Sequence, residues 1–220
     1  MSEWLILWDA RDAFLAGALN TLLLFFVSVS AAFILGAALL YQLEQGGWAT
    51  RPLRWLIDLM RMLPFLVLAY LLYYGLPSLG LKMSAWSAGL IALAIYHAAY
   101  FAEILRGARV LMPEGQIEAA KAHGFTPLRL FLRIILPPLV IKTRPLMGNQ
   151  LIYALKDTAF LTIITVQELT AAANSVSATY FIPMEAFIVV IAIYWAISIC
   201  LELALKWAGR FGVKRGFEHV

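Results

Sequence analysis

From Ala13 to Leu43 the chain carries no charged residue, and no other feature restricts its possible folds so strongly. A helix crosses a hydrocarbon core about 30 Å thick with about 20 apolar residues, so this run spans a membrane with length left for tilt or an extension into the interface. Composition agrees. Of 220 residues, 63% are hydrophobic and 14% charged, with a mean hydropathy of +0.83, whereas a soluble domain carries about 25% charged residues. At about 20 residues per span, helices use up most of the length, so residues 1–220 read as one membrane domain with no appended catalytic module. No GxxxxGK[ST] phosphate loop is present.

The remaining runs predict an all-α integral membrane protein of about five spans. The second uncharged stretch, Met62 to Leu81, begins beside Arg61 and contains Pro64, so its helix is expected to start earlier and carry Arg61 into the bundle. Met83 to Ala102 is the third. The fourth runs from Leu139 to Ile164, interrupted by Lys142, Arg144, Asn149, Lys156 and Asp157, and the fifth from Met184 to Leu205. Cys200, the single cysteine, lies in the fifth run and behaves there as a small buried or lipid-facing hydrophobe. The N-terminus, with Glu3, Asp9, Arg11 and Asp12, lacks the basic region of a cleaved signal, so the first span is expected to stay.

Charge sets the orientation. Of the 17 Lys and Arg, all but Arg11, Arg61, Lys82 and Lys156 fall in the loop after the first span, the 103–138 connector, the start of the fourth span and the C-terminal tail with Arg210, Lys214 and Arg215. The positive-inside rule then places the N-terminus outside and the connector and tail in the cytoplasm. The same asymmetry accounts for the net charge of +4 and the pI near 9.3 without any nucleic-acid partner.

The connector is the part with chemistry to offer. It reads AEILRGARVLMPEGQIEAAKAHGFTPLRLFLRIILPP from Ala102 to Pro138. Two short helices are expected, one from Pro113 to His123 and one opened by Thr126 as cap and Pro127 at the first helical position. Gly124 lets the chain turn sharply between them, because it takes positive φ without steric cost. Ala119 and Ala120 are small enough for another protein to approach, and Glu118 supplies a charge. The residues alone read as a docking knob or a solvated loop.

Glu118-Ala119-Ala120, Gly124 and Ile134-Ile135-Leu136-Pro137 resemble, in order and spacing, the EAA motif of membrane subunits of bacterial ABC importers. Glu103, Arg106-Gly107 and Pro113-Glu114-Gly115-Gln116 resemble the polar amino acid permease branch, as do Pro145, Asn149 and Lys156-Asp157-Thr158 downstream, and Gly17-Ala18-Leu19-Asn20-Thr21-Leu22, Arg61 and Pro64 upstream. The resemblance covers nearly the whole chain. It implies a type I ABC importer permease fold in a bacterial inner membrane, and a coupling helix, with Glu118, Ala119, Ala120, Gly124 and Pro127, seated on an ATP-hydrolysing subunit. It further implies a second permease subunit, the same or homologous, an extracytoplasmic solute-binding protein and a surround of membrane lipid. This chain then binds no cofactor itself, ATP and Mg belonging to the ATPase. The cargo implied is a polar amino acid or a derivative such as an opine; the same machinery carrying another solute, or a self-contained carrier, are the alternatives. Two stretches depart from the branch: Arg61-Met62-Leu63-Pro64 stands where Arg-Gly-Thr-Pro is common, and Lys156-Asp157-Thr158-Ala159-Phe160 where Lys-Asp-Thr-Ser-Leu is.

Ionisable groups in spans are costly unless they pair or face a cavity. Asn149, Tyr153 and Lys156 share a helical face with Asp157 adjacent, so a polar stripe lines a pathway, or Lys156 snorkels to the interface and pairs with Asp157. Arg61 either meets substrate or pairs with Asp58 or a partner subunit. Pro64, Tyr70 and Thr158 join the candidate substrate path, although Tyr73 and Tyr74 fit an interfacial aromatic belt. Glu103 with Arg106 or Arg109 closes a cytoplasmic gate or forms a plain i, i+3 pair. His97 reads as a packed core residue, and no second His or Cys stands at metal-ligand spacing. Neither an enzyme's clustered acid, base and nucleophile nor a carrier's internal repeats is present.

Overall fold

The computed structural model describes residues 3–213, with side chains described through Trp207; the tail cations Lys214 and Arg215 lie outside the described residues. Every described element is helical. The order is α1 (Glu3–Asp9), α2 (Arg11–Gln45), α3 (Thr50–Met62), α4 (Phe65–Tyr70), α5 (Ala85–Val110), α6 (Glu114–Ala122), α7 (Pro127–Leu130), α8 (Leu136–Lys142), α9 (Arg144–Asp157), α10 (Leu169–Tyr180) and α11 (Pro183–Val213). Among the described residues, three helices are by themselves long and apolar enough to cross a membrane, α2, α5 and Pro183–Trp207 of α11. There are up to five if the bent pairs Thr50–Met62 with Phe65–Leu79 and Arg144–Ile164 with Leu169–Tyr180 each count as one span.

Three expectations change, each for a local reason. The second span is not one continuous helix: α3 does start earlier and carries Arg61 in its last turn, but it ends at Met62, with Leu63 extended at φ −76, ψ 139, because a residue before proline is pushed out of the helical region. Beyond Pro64, α4 continues as a π-helical turn, Leu71–Gly75, and a 3-10 turn, Leu76–Leu79. The third span passes Ala102 and ends at Val110, so Glu103, Arg106 and Arg109 stand on a helix and not in a loop. In the fourth region, Pro137 and Pro138 sit in the first turn of α8, where their missing N–H groups are tolerated, preceded by a π-helical turn, Phe131–Ile135. The 3-10 turn Thr158–Ile164 follows α9, and then comes α10, a helix the sequence reading leaves out.

The chain divides into two compact units. One comprises Met1–Ser30, Pro64–Ala94 and Ile152–Leu201. Its apolar cluster joins Leu7, Phe14, Leu169, Ala173, Val176, Ile182, Ala186 and Val190. Gly17 permits a close backbone approach there: a Cβ at that position would stand 3.0 Å from Leu169 Cα and 3.1 Å from the Glu168 carbonyl oxygen. Cys200, in this unit, is exposed on α11, which leaves the lipid-facing alternative for it.

The other unit comprises Ala31–Leu63, Ile95–Leu151 and Glu202–Val220. Leu43, Ile57, Ala99 and Ala102 form an apolar cluster. Gly36 lies so close to α5 that a Cβ would meet Phe101 Cβ at 2.8 Å and the Ala98 carbonyl oxygen at 2.9 Å. Small residues let helix backbones approach in this way where lipid offers no hydrophobic drive for association.

Candidate functional site

The connector's knob is built from its own backbone. Helix α6 carries Ile117 and Ala120 inward, while Glu118 and Ala119 stay exposed. It ends in a Schellman arrangement: Gly124 N–H donates to the Lys121 carbonyl at 2.9 Å and Phe125 N–H to the Ala120 carbonyl at 3.2 Å. That closure needs a left-handed residue after the cap, and Gly124 supplies it at φ 75. Pro127 opens α7 as expected, and Thr126 stands extended at the N-cap position but makes no side-chain cap bond. Of the motif's two alanines, then, Ala119 faces outward and Ala120 is used in packing.

A charged cluster stands on α3 and α5. Arg106 donates to both carboxylate oxygens of Glu103, from Nε at 2.7 Å and from Nη2 at 2.6 Å. Arg61 lies 3.6 Å from Asp58 and 3.7 Å from Glu103. The Tyr100 hydroxyl donates to the Arg61 carbonyl at 3.1 Å, and the Arg61 guanidinium sits 5.7 Å from the Tyr100 ring centre. Arg61 is thus placed with Asp58 and Glu103, the ion-pair alternative. A further cation, Arg109, donates to Glu44 at 2.9 Å and to Glu114 at 3.0 Å.

On α9, Asn149, Tyr153 and Lys156 lie along one exposed face, with Asp157 half-buried next in sequence. Tyr70 stacks on Tyr74 at 5.3 Å between ring centres, and Tyr73 meets Tyr74 edge-on at 4.7 Å. Thr158 is fully buried, donating to the Leu155 carbonyl at 2.6 Å and lying 3.3 Å from the Tyr194 hydroxyl. His97 is a core residue, 1% exposed, with its Nδ1 2.8 Å from Gln150 Nε2. Among the described residues no three His, Cys, Asp or Glu side chains gather as a metal site.

Sequence reasoning missed Glu168. It is fully buried and caps α10, accepting from Thr170 N–H at 2.8 Å and Ala171 N–H at 2.7 Å, while the Tyr194 hydroxyl donates to it at 3.1 Å. The turn ahead of α10 is tied to α2 by two neutral side chains: Asn20 donates to the Gln167 carbonyl, and Thr21 Oγ1 accepts from Leu169 N–H at 3.0 Å. Trp86 Nε1 donates to Asn20 Oδ1 at 3.0 Å. The stretch Gly17 to Leu22 therefore has a physical purpose: Gly17 admits the turn and Asn20 and Thr21 satisfy its backbone, as a break inside a membrane demands. The available signal was that Glu168 is the only charge between Asp157 and Glu185.

Residues 25–211 match the family described as "Binding-protein-dependent transport system inner membrane component". An octopine transport system permease protein of Rhizobium meliloti is 38% identical over 201 residues, 86% of this chain and 82% of that one. A protein of Bacillus subtilis (strain 168) named "Probable glutamine ABC transporter permease protein" is 30% identical over 206 residues, 92% of this chain and 94% of its own. The crystal structure of an amino acid ABC transporter with histidines aligns with a TM-score of 0.83 and 28% identity, over 96% of this chain and 99% of that one. The chain is accordingly an all-helical membrane permease, a transport subunit and not an enzyme, and belongs to the inner membrane components of binding-protein-dependent transport systems.

Proposed function

We propose that the chain is the membrane-spanning subunit of an ATP-driven importer for a polar amino acid or amino acid derivative, opines included, in a bacterial inner membrane. The observation that carries the reading is the α6 knob, closed by Gly124 and holding Glu118 and Ala119 exposed, in a chain whose relatives are named as glutamine and octopine permeases. Residues 1–220 act as one permease domain, N-terminus outside, pairing with a second copy or a homologous subunit. Two ATPase subunits bind ATP and Mg and seat the knob through Glu118, Ala119, Ala120, Gly124 and Pro127. ATP reverses the bundle only by binding one arrangement more tightly than the other. A solute-binding protein delivers cargo from outside, and the α9 face of Asn149 and Lys156, with Asp157, offers the two signs of charge that a zwitterion needs.

The test is reconstitution with the co-encoded ATPase and binding protein, followed by ATP hydrolysis against a panel of amino acids and opines. Stimulation by one class of ligand supports both the coupling role and the cargo. Solute movement by the chain alone, without ATPase, would refute the reading and favour a self-contained carrier.

A further inference from the structure

Arg109 is the last polar residue of α5 and one of the most sheltered cations described, its side chain 12% exposed. Its guanidinium reaches two helices at once: Nε donates to Glu44 near the C-terminus of α2 at 2.9 Å, and Nη1 to Glu114, the first residue of α6, at 3.0 Å. Glu44 is out of place by helix electrostatics, since an acid in the last turn opposes the macrodipole unless a cation offsets it. Arg109 is that cation. Only Leu111, Met112 and Pro113 join α5 to α6, and a cavity of about 280 Å³ lies beside α6, lined by Glu44, Arg109, Glu114, Ile117, Lys121 and Phe125 among others. Ile117 and Ala120 seat α6 by packing, and the forked ion pair, with the Glu114 side chain 66% exposed, adds a polar tie from its first residue to α2.

We propose that Arg109 is a positioning residue, a strut that passes displacement of the α6 knob into α2 through Glu114 and Glu44. The proposal rests on the coupling reading above. A planar fork can hold two carboxylates in a fixed geometry, whereas a lysine ammonium holds one direction loosely, so the device depends on arginine and not on charge alone.

The test uses the complete transporter in liposomes with wild-type, Arg109→Gln, Arg109→Lys and Glu44→Gln chains, reading ligand-stimulated over basal ATP hydrolysis and solute moved per ATP. Arg109→Gln and Glu44→Gln are each expected to lower the stimulated-to-basal ratio at least fivefold while the ATPase subunit still co-purifies in wild-type amount. Arg109→Lys falls between. If Arg109→Gln does not insert, Glu44→Gln decides: a wild-type ratio in that variant overturns the strut, because a merely local role for Arg109 needs no partner on α2. Should the wild-type complex show no ligand-stimulated hydrolysis, the coupling reading fails. Hydrogen exchange on the full permease then judges the strut alone, with faster exchange of α6 amides in Glu44→Gln expected and unchanged exchange overturning it.

Discussion

Replacing Gly124 by alanine isolates one backbone conformation. At φ 75 an L-residue's Cβ crowds the following carbonyl, at a cost of about 1–2 kcal/mol. Nothing else lies within 4 Å of where that Cβ would stand, so no packing loss is added. Helix α6 has nine residues, and isolated helices below about 12–15 residues are marginal, so the loss passes into the population of the closed knob, roughly 5- to 30-fold. If docking requires the closed knob, the apparent affinity for the ATPase subunit falls by up to that factor. The assay is a titration of ATPase subunit onto the permease in nanodiscs, with stimulated hydrolysis as the second readout. Gly124→Asn should lose less, since asparagine tolerates the left-handed region. Gly115→Ala is the control: it lies within α6 with nothing within 4 Å, and alanine favours a helix interior by up to about 1 kcal/mol. Equal losses for alanine and asparagine at 124, or a loss below twofold for Gly124→Ala, would refute the conformational argument; an equal loss in Gly115→Ala would point to crowding against the partner instead.

Gly36→Ala should lower thermal stability in detergent by about 1–3 kcal/mol, the cost of overpacking, because its Cβ meets the Ala98 carbonyl oxygen at 2.9 Å and helix backbone cannot step aside. Glu168→Ala removes the cap of α10 and the acceptor of the Tyr194 hydroxyl, so a loss of about 2–4 kcal/mol is expected from the cap and the unsatisfied donors together. Glu168→Gln, which keeps one acceptor oxygen, should lose clearly less in the same melt. Lys156→Ala is expected to raise the ligand concentration for half-maximal uptake about tenfold or more, the loss of one charge-assisted hydrogen bond, with ATPase binding unchanged. An unaltered uptake curve would return Lys156 to a snorkelling role.

Much of the fold was legible because its signals are local. The uncharged length of Ala13–Leu43 emerges within a single helix, Arg11–Gln45, since desolvating backbone in lipid leaves few alternatives to a helix. Gly124 and Pro127 predict the end of one short helix and the start of the next because φ preferences act within a residue or two. Boundaries were harder. Leu63-Pro64 breaks a run that hydropathy reads as continuous, and α10, LTAAANSVSATY, gives a faint signal because its buried face of Leu169, Ala173 and Val176 is short and set among small and polar residues.

What the sequence by itself determined is the class of the molecule, a helical membrane chain with an exposed turn-closed knob, because length, charge placement and turn chemistry are properties of short segments. Only the tertiary structure decided which groups meet across long separations. It paired Arg61 with Glu103 and Arg109 with Glu44, buried Glu168 beneath Tyr194, and turned Ala120 inward while leaving Ala119 outside. A charge states what it needs, an opposite partner or a set of donors, but not where along the chain the need is met; that depends on which backbones come close, and here the contacts at Gly17 and Gly36 set the spacing.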